Sequence, residues 1–303
     1  MKKCLFVINP VAGTKMLQSH LDRFIGKLIL NTDVNSVDTF FTQGDLDAQN
    51  KCASLRDGDY DFIVSVGGDG TVNEVLTGVV QAGLSTPVAL IPGGTVNDFA
   101  NYLKLPAKSK AFAEMINDFR VEPVDVGEIN GSCFANVISG GMFSDIAFQV
   151  TKEEKNTFGP LAYYATGARL LPQQLAISLD LDIEADDTHI QREASLFMIA
   201  NSQSVGGFMG ITPKASVQDG KLDLFIIRKS NVAELLILLA DFARGAHIDN
   251  PKIEYMQASH IKISCAQDII YDIDGEIGKN FPIDVHCLHN AVNLILPKDE
   301  KNA

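Results

Sequence analysis

One stretch of this 303-residue chain limits its fold more than any other: Phe62-Ile63-Val64-Ser65-Val66-Gly67-Gly68-Asp69-Gly70-Thr71-Val72-Asn73-Glu74-Val75. Its first part is an almost unbroken apolar run rich in β-branched residues, the pattern of a strand buried on both faces in a parallel sheet. Glycines and an aspartate stop the run, and a helix is expected from about Thr71, with Thr71 or Asp69 as its capping side chain. Strand, glycine turn and helix in that order aim backbone N–H groups at an anion. Gly67, Gly68 and Gly70 carry no Cβ to block a phosphate and tolerate positive φ. Asp69 would repel a phosphate, which makes sense if Mg²⁺ lies between them. A turn that needs glycine for geometry alone is the competing reading. The G-x-x-x-x-G-K-[ST] loop is absent, and Asn73 stands where G-x-G-x-x-G requires its third glycine.

The same arrangement recurs nearby. An apolar run over residues 4–8 ends at Asn9-Pro10-Val11-Ala12-Gly13-Thr14-Lys15, before a helix whose Leu17, Leu21, Phe24, Ile25 and Leu28 share one face. Lys15 either reaches a phosphate or is a solvated lysine at a helix start. A strand over 34–41 is followed by Thr42-Gln43-Gly44-Asp45, and a helix is expected over 47–55. Another apolar strand runs into Pro92-Gly93-Gly94-Thr95-Val96-Asn97-Asp98-Phe99-Ala100. Alternating strands and helices imply a parallel α/β sheet, in which ligands gather at the strands' carboxyl ends. All the glycine turns lie at those ends.

After residue 123 the pattern changes. Asn130-Gly131 joins two short strands as a hairpin. Residues 151–157 read as a polar loop, a helix is expected over 159–171, and short strands dominate from 176 to 297, except for an apolar helix over 232–244. The expected organisation is an α/β domain over 1–123, a β-rich sandwich over 124–297, and a tail over 298–303 that could pack back on the first domain. Tyr271-Asp272-Ile273-Asp274-Gly275-Glu276 places three acidic residues at alternate positions, which on one strand would share a face. His286-Cys287-Leu288-His289 suggests zinc but lacks a second ligand pair, so an ordinary turn is expected there.

Composition excludes some partners. A net charge of −13 argues against a broad nucleic-acid footprint and against strong adhesion to anionic membranes. Five scattered cysteines without a C-x-x-C fit reduced thiols in a reducing compartment. The first apolar run stops at Asn9-Pro10, too soon for a signal peptide, and no run approaches the roughly 18 apolar residues of a spanning helix.

Gly67-Gly68-Asp69-Gly70-Thr71 resembles the signature of the diacylglycerol kinase and sphingosine kinase superfamily, which NAD kinases share in part. The likeness extends in order through both domains: Asn9-Pro10-x-Ala12-Gly13, the Thr42 turn, Gly94-Thr95-x-Asn97-Asp98-Phe99-Ala100, Phe134-x-Asn136-x-x-x-x-Gly141, Gly159-Pro160-Leu161-Ala162-Tyr163, Asp219-Gly220-Lys221-Leu222-Asp223 and Asp274-Gly275-Glu276. Asn101 departs from it, because the family commonly has arginine there. The resemblance implies a soluble lipid kinase of the bacterial type, with ATP in a cleft between the domains. Asn9, Pro10, Val11, Ala12, Gly13, Lys15, Thr42, Gly67 to Thr71, Asn73, Glu74 and Thr95 would cradle the nucleotide. Asp98 would hold a water near the metal or cap a turn. A catalytic Mg²⁺ is implied near Asp69, and a structural Mg²⁺ at Asp219 with the carbonyls of Ser216 and Lys221 and with Asp223 beside it. Asp219-Gly220 also reads as a plain turn. Asp274 or its rival Glu276 would accept the substrate hydroxyl's proton, with Asp272 a weaker candidate. The acceptor implied is a lipid, diacylglycerol first, met transiently at a membrane surface from the cytoplasm; a homodimer is left open. The residues at 232–243 and 158–171 are the apolar candidates for that surface, with core packing as the alternative. Competing functions are an NAD kinase, a nucleotide- or lipid-binding regulator without turnover, and a membrane-associated scaffold.

Overall fold

The computed structural model describes residues 1–12, 21–142, 177–278 and 281–298. The chain forms two compact units, Met1–Asp125 with Asn290–Ala303, and Val126–His289. The first contains strands β1 (Lys2–Ile8), β2 (Val34–Phe41), β3 (Phe62–Gly67) and β4 (Val88–Pro92) and helices α1 (Leu21–Asn31), α2 (Asp47–Ala53), α3 (Asp69–Gln81), α4 (Asp98–Tyr102) and α5 (Ser109–Asp118). The strands are parallel in the order β2-β1-β3-β4, with Ile8 opposite both Phe41 and Val66 and with Gly67 opposite Pro92. The apolar run of β3 is buried at every position, as a central parallel strand requires. One side of the sheet carries a core of Phe6, Phe24, Leu28, Phe62, Val64, Phe112 and Ile116, in which Phe24 of α1 meets Phe112 of α5 edge-on at 5.6 Å.

The second unit is antiparallel. It holds the end of β5 (Val121–Ile129), then β6 (Ser132–Phe134), β7 (Val137–Gly141), β8 (Leu179–Ala185), β9 (Thr188–Ala200), the small hairpin of β10 (Ser204–Val205) and β11 (Phe208–Met209), β12 (Leu222–Arg228), helix α6 (Val232–Ala243), β13 (Ile253–Ala258), β14 (His260–Cys265), β15 (Tyr271–Ile273), β16 (Glu276–Gly278) and the start of β17 (Ile283–Ile295). Alternation with period two divides the strands between two cores. Leu222, Leu224 and Ile226 of β12 join one, and Phe225 and Ile227 join the other, where Leu235 and Leu238 of α6 also pack. A reciprocal capping box of Asn231 and Glu234 starts α6.

Several expectations change in detail. The division falls at Asp125, and the chain returns to the first unit at Asn290, not at 298. The reason is β17: Leu294 pairs in parallel with Val88, and the Asn290 N–H donates to Asp125 at 2.7 Å. β9 and β17 are 13 residues each, so the second unit is not built of short strands alone. Helix α5 has no counterpart among the elements expected from the sequence. His286 to His289 lie inside β17, not in a turn. The expected loop at 151–157 and helix at 159–171 lie outside the described residues, as does the apolar surface at 158–171. None of the five cysteines forms a disulfide. Among the described residues no helix is long and apolar enough to cross a membrane.

Candidate functional site

In the first unit the predicted turns meet at the carboxyl ends of the parallel strands. Ile8, Phe41 and Val66, from the ends of three neighbouring strands, line a pocket of about 200 Å³ together with Asn9, Pro10, Ala12 and Leu21. Asn9 ties two turns together. Its N–H donates to Val66 O (2.9 Å), its Nδ2 donates to Thr71 Oγ1 (3.1 Å), and its Oδ1 accepts from the Val11 N–H (3.1 Å). Thr71 is therefore buried and held by Asn9 instead of capping a helix. The helix begins earlier than expected, at Asp69. Gly68 is the cap, in extended backbone and without a side-chain cap bond.

The glycines matter for space and not for handedness, since Gly67 and Gly68 do not have positive φ. A Cβ on Gly67 would lie 2.4 Å from Thr71 Oγ1. A Cβ on Gly94 would lie 2.8 Å from Gly68 Cα, and one on Gly68 would lie 3.2 Å from Gly94 Cα. The β3–α3 and β4–α4 turns thus touch backbone to backbone. Asn97, in left-handed conformation at φ 52°, locks the second turn: Gly94 N–H donates to its Oδ1 at 2.7 Å and its Nδ2 donates to Gly94 O at 2.9 Å. The Asn97 N–H then donates to Asp69 Oδ2 at 3.2 Å, so the carboxylate of one glycine turn faces the other. Asn101, where the resemblance has arginine, donates to Val96 O at 2.8 Å and closes the same turn.

The remaining candidates divide. Thr42 is buried, its N–H donating to Ile8 O (2.9 Å) beside the pocket strands, while Asp47 accepts from the N–H groups of Gln43 and Gly44 and holds that turn. Thr95 is exposed, and Asp98 is the buried first residue of α4. Asn73 is buried within α3. Glu74 reaches the start of α2. It accepts from the N–H groups of Leu46 (3.1 Å) and Ala48 (3.0 Å) and so serves as the cap that α2 lacks. Gly13 and Lys15 lie outside the described residues.

In the second unit the acidic trio does not share a strand face. Asp274 and Gly275 form a two-residue hairpin turn between β15 and β16, both with positive φ (48° and 90°), with Ile273 opposite Glu276. Such a turn is what Asp-Gly favours, and it separates the three side chains. Asp272 is buried and accepts from the Gly275 N–H at 3.2 Å. Asp274 accepts from three successive backbone N–H groups, those of Ala135 (2.9 Å), Asn136 (3.0 Å) and Val137 (2.7 Å). Glu276 is exposed at the start of β16. The 135–137 segment is itself anchored. Asn201 donates to Ala135 O (2.9 Å), Asn136 donates to Ser204 O (2.8 Å), Ser202 bonds Asn136, and Thr212 donates to Ser202 O (2.8 Å), all buried.

Asp219 opens a turn, accepting from the Lys221 N–H at 3.1 Å across Gly220, whose φ is 73°. The Gln257 amide reaches both Asp219 (3.3 Å) and Asp223 (3.5 Å), and Tyr255 donates to Asp223. Burial pushes the Asp223 carboxyl up to about 6; Asp219 acts in the same direction, and the bonds from Tyr255 and Gln257 oppose it. Two carboxylates sharing one amide, one of them buried, are a donor set that suits a hard cation. Ser216 lies half-buried in the preceding loop. Sequence reasoning singled out neither Tyr255 nor Gln257, because both arrive from β13, whose pairing with β12 no local motif announces. A larger open groove of about 390 Å³ on β8 and β9 contains none of the predicted residues.

Comparison with known proteins agrees with this placement of motifs. The chain matches the family model described as the diacylglycerol kinase catalytic domain over residues 3–129. It matches the YegS C-terminal NAD kinase beta sandwich-like domain over residues 136–296. A diacylglycerol kinase of Staphylococcus haemolyticus (strain JCSC1435) is 35% identical over 303 residues, covering 100% of this chain and 91% of that one. A diacylglycerol kinase of Bacillus subtilis (strain 168) is 32% identical over 302 residues, covering 99% and 98%. The crystal structure of a diacylglycerol kinase from Bacillus anthracis str. Sterne has a TM-score of 0.79 at 25% identity, covering 100% of this chain and 99% of that one. With the glycine turns, the paired acidic motifs and a full-length likeness in one order, the chain belongs to the diacylglycerol kinase family and is an ATP-dependent lipid kinase, a phosphotransferase with an alcohol group as acceptor.

Proposed function

We propose that the acceptor is diacylglycerol and the product phosphatidic acid, with the roles divided between the two units. In the first, the turns that end at Gly68 and Gly94 would hold the phosphates of ATP, through backbone N–H groups that no Cβ obstructs. Asn9, Thr42 and Thr95 flank them. Mg²⁺ beside Asp69 would neutralise charge on the β- and γ-phosphates. In the second, Glu276 takes the proton of the lipid hydroxyl, and Asp274 is the brace that presents it. The observation that carries this division is Asp274 itself. Three amide donors occupy its carboxylate, whereas Glu276, which begins the strand after the same turn, is exposed. Positioning and electrostatics supply most of the gain in phosphoryl transfer, so a brace matters as much as a base.

Asp219, with the carbonyls of Ser216 and Lys221, would hold a structural Mg²⁺, and Asp223 would stand behind it. The support is the pair of carboxylates bridged by Gln257. The enzyme works from the cytoplasm and meets the membrane peripherally, its lipid surface being the exposed side of α6, with Val232, Leu236 and Ile237.

The discriminating experiment assays labelled ATP against diacylglycerol and NAD⁺ with three variants. Glu276→Gln should lower kcat on diacylglycerol by about 10²-fold or more, the usual contribution of a general base, with unchanged stability. Asp274→Asn should lower activity and also cost roughly 1.5–3 kcal/mol of stability, because a charged acceptor leaves three donors. Asp69→Ala should abolish transfer while leaving the fold. Full stability of Asp274→Asn with lost activity would make Asp274 the base instead. Transfer to NAD⁺ in preference to the lipid would remove the proposed substrate.

A further inference from the structure

In sequence, His286 has no neighbouring partners that would complete a metal site. In the folded chain it lies on β17, and the missing ligands come from across the strand. β14 and β17 are antiparallel, with His260 opposite His286 and Lys262 opposite Asp284. Ile261, Ile263, Ile283 and Val285 point into the core, so the alternate residues His260, Asp284 and His286 share the outer face. Asp284 Oδ1 lies 2.6 Å from His260 Nε2 and 3.2 Å from His286 Nε2. The three ligand atoms lie within 4.8 Å of one another, the only such group of three or more among the described residues.

We propose that His260, Asp284 and His286 form a surface site for a borderline divalent transition-metal ion, which Zn²⁺ would fill. Two imidazoles and one carboxylate are a donor set that zinc accepts, with the fourth position left to water. Bond lengths near 2.0–2.1 Å in a tetrahedron put ligand atoms about 3.3 Å apart, close to the 3.2 Å between Asp284 and His286, whereas the 2.6 Å between Asp284 and His260 must widen to admit an ion. The two imidazoles stack at 4.2 Å with planes 10° apart, so they must turn for both lone pairs to face one ion. Each of the three side chains is about half exposed (47% for His260, 46% for Asp284 and His286), which leaves room for that turn. The surroundings favour a cation. Asp186 accepts from the backbone N–H of His260 at 3.0 Å, and Glu184 stands opposite Lys262 on β8, offsetting its charge. Cys4 and Cys52, whose thiols burial pushes up to about 12, compete poorly because the thiolate is the ligand. A bound ion would clamp β14 to β17.

The test titrates the full, tag-free chain, stripped with a chelator, with Zn²⁺ against a chromophoric competitor, and follows the histidine ring resonances. One Zn²⁺ should bind per chain, and the signals of His260 and His286 should shift together. His260→Gln and His286→Gln should each weaken binding at least tenfold, Asp284→Asn should weaken it as well, and His189→Gln should not. Kinase activity should be unchanged in all of these, since none belongs to the phosphoryl-transfer machinery. Affinity should fall in acid, because the imidazoles must be neutral to bind. Absence of binding, binding that persists in the His260→Gln/His286→Gln double variant, or unmoved His260 and His286 signals would each overturn the proposal.

Discussion

Gly94 shows what a single missing Cβ contributes at the residue scale. The approach of Gly68 and Gly94 leaves no room for a methyl group against backbone, which cannot swing aside as a side chain can. Gly94→Ala should therefore cost about 1–3 kcal/mol by overpacking and lower kcat/KM at least tenfold by moving the turn. Thermal melts and steady-state assays would check both, and unaltered values would show that the contact is dispensable. Asp57 is a second case, away from the site. It accepts from the N–H and hydroxyl groups of both Ser85 and Thr86 at 2.8–3.2 Å. The Ser85 hydroxyl above all, then Thr86 and the two N–H groups, hold its carboxyl below the usual range against a smaller opposing effect of desolvation. A carboxyl depressed in the folded state contributes stability above its unfolded value near 3.9, and that contribution is lost as pH falls through the folded value. Urea midpoints of Asp57→Asn should therefore lie below wild type at neutral pH, and the gap should close below about pH 4. A gap that stays constant in acid would refute the linkage.

At the scale of elements, period and capping chemistry decide which faces are committed to a core. Helix α6 is apolar around most of its circumference, more than one core can use. Leu235 and Leu238 are buried, whereas Val232, Leu236 and Ile237 are 54%, 62% and 58% exposed. Under the proposed function, that exposed side would be the membrane contact. Leu236→Glu and Ile237→Glu should reduce co-sedimentation with diacylglycerol-containing vesicles severalfold and raise the apparent KM for vesicle-borne lipid, while activity on a short-chain, water-soluble diacylglycerol stays as in wild type. Equal loss on both substrates would point to folding instead of docking. The β15–β16 hairpin makes the complementary point. Its Asp-Gly turn is local, but the amides that hold Asp274 belong to a segment more than a hundred residues earlier.

At the scale of the whole molecule, net charge is the governing quantity. With a net charge of −13, the folded chain works against its own repulsion. A cation at the site proposed for Asp219 and its neighbours would relieve part of that and add mass-action stability to the native state alone. Millimolar Mg²⁺ should raise the melting temperature of the wild type by a few degrees without nucleotide, and Asp219→Ala should abolish the rise. A Mg²⁺ effect of equal size in both proteins would count against the structural site.

Residue order alone determined the parallel sheet, its glycine turns, the Asn130-Gly131 hairpin and the family, because each is a local pattern: buried strand, breaker, helix, with period two or 3.6. It placed β2 with the observed limits and most of α2, α3 and α6 within a few residues. It could not tell that Glu74 caps α2, that Asp274 and Glu276 fall on different parts of a hairpin, or that Tyr255 and Gln257 approach Asp223. Nor could it supply the partners of His286. Those facts depend on strand pairing and helix packing between residues far apart in the chain. A carboxylate or an imidazole acquires its role from the donors and charges that tertiary structure brings within hydrogen-bonding distance, and no local spacing encodes that distance.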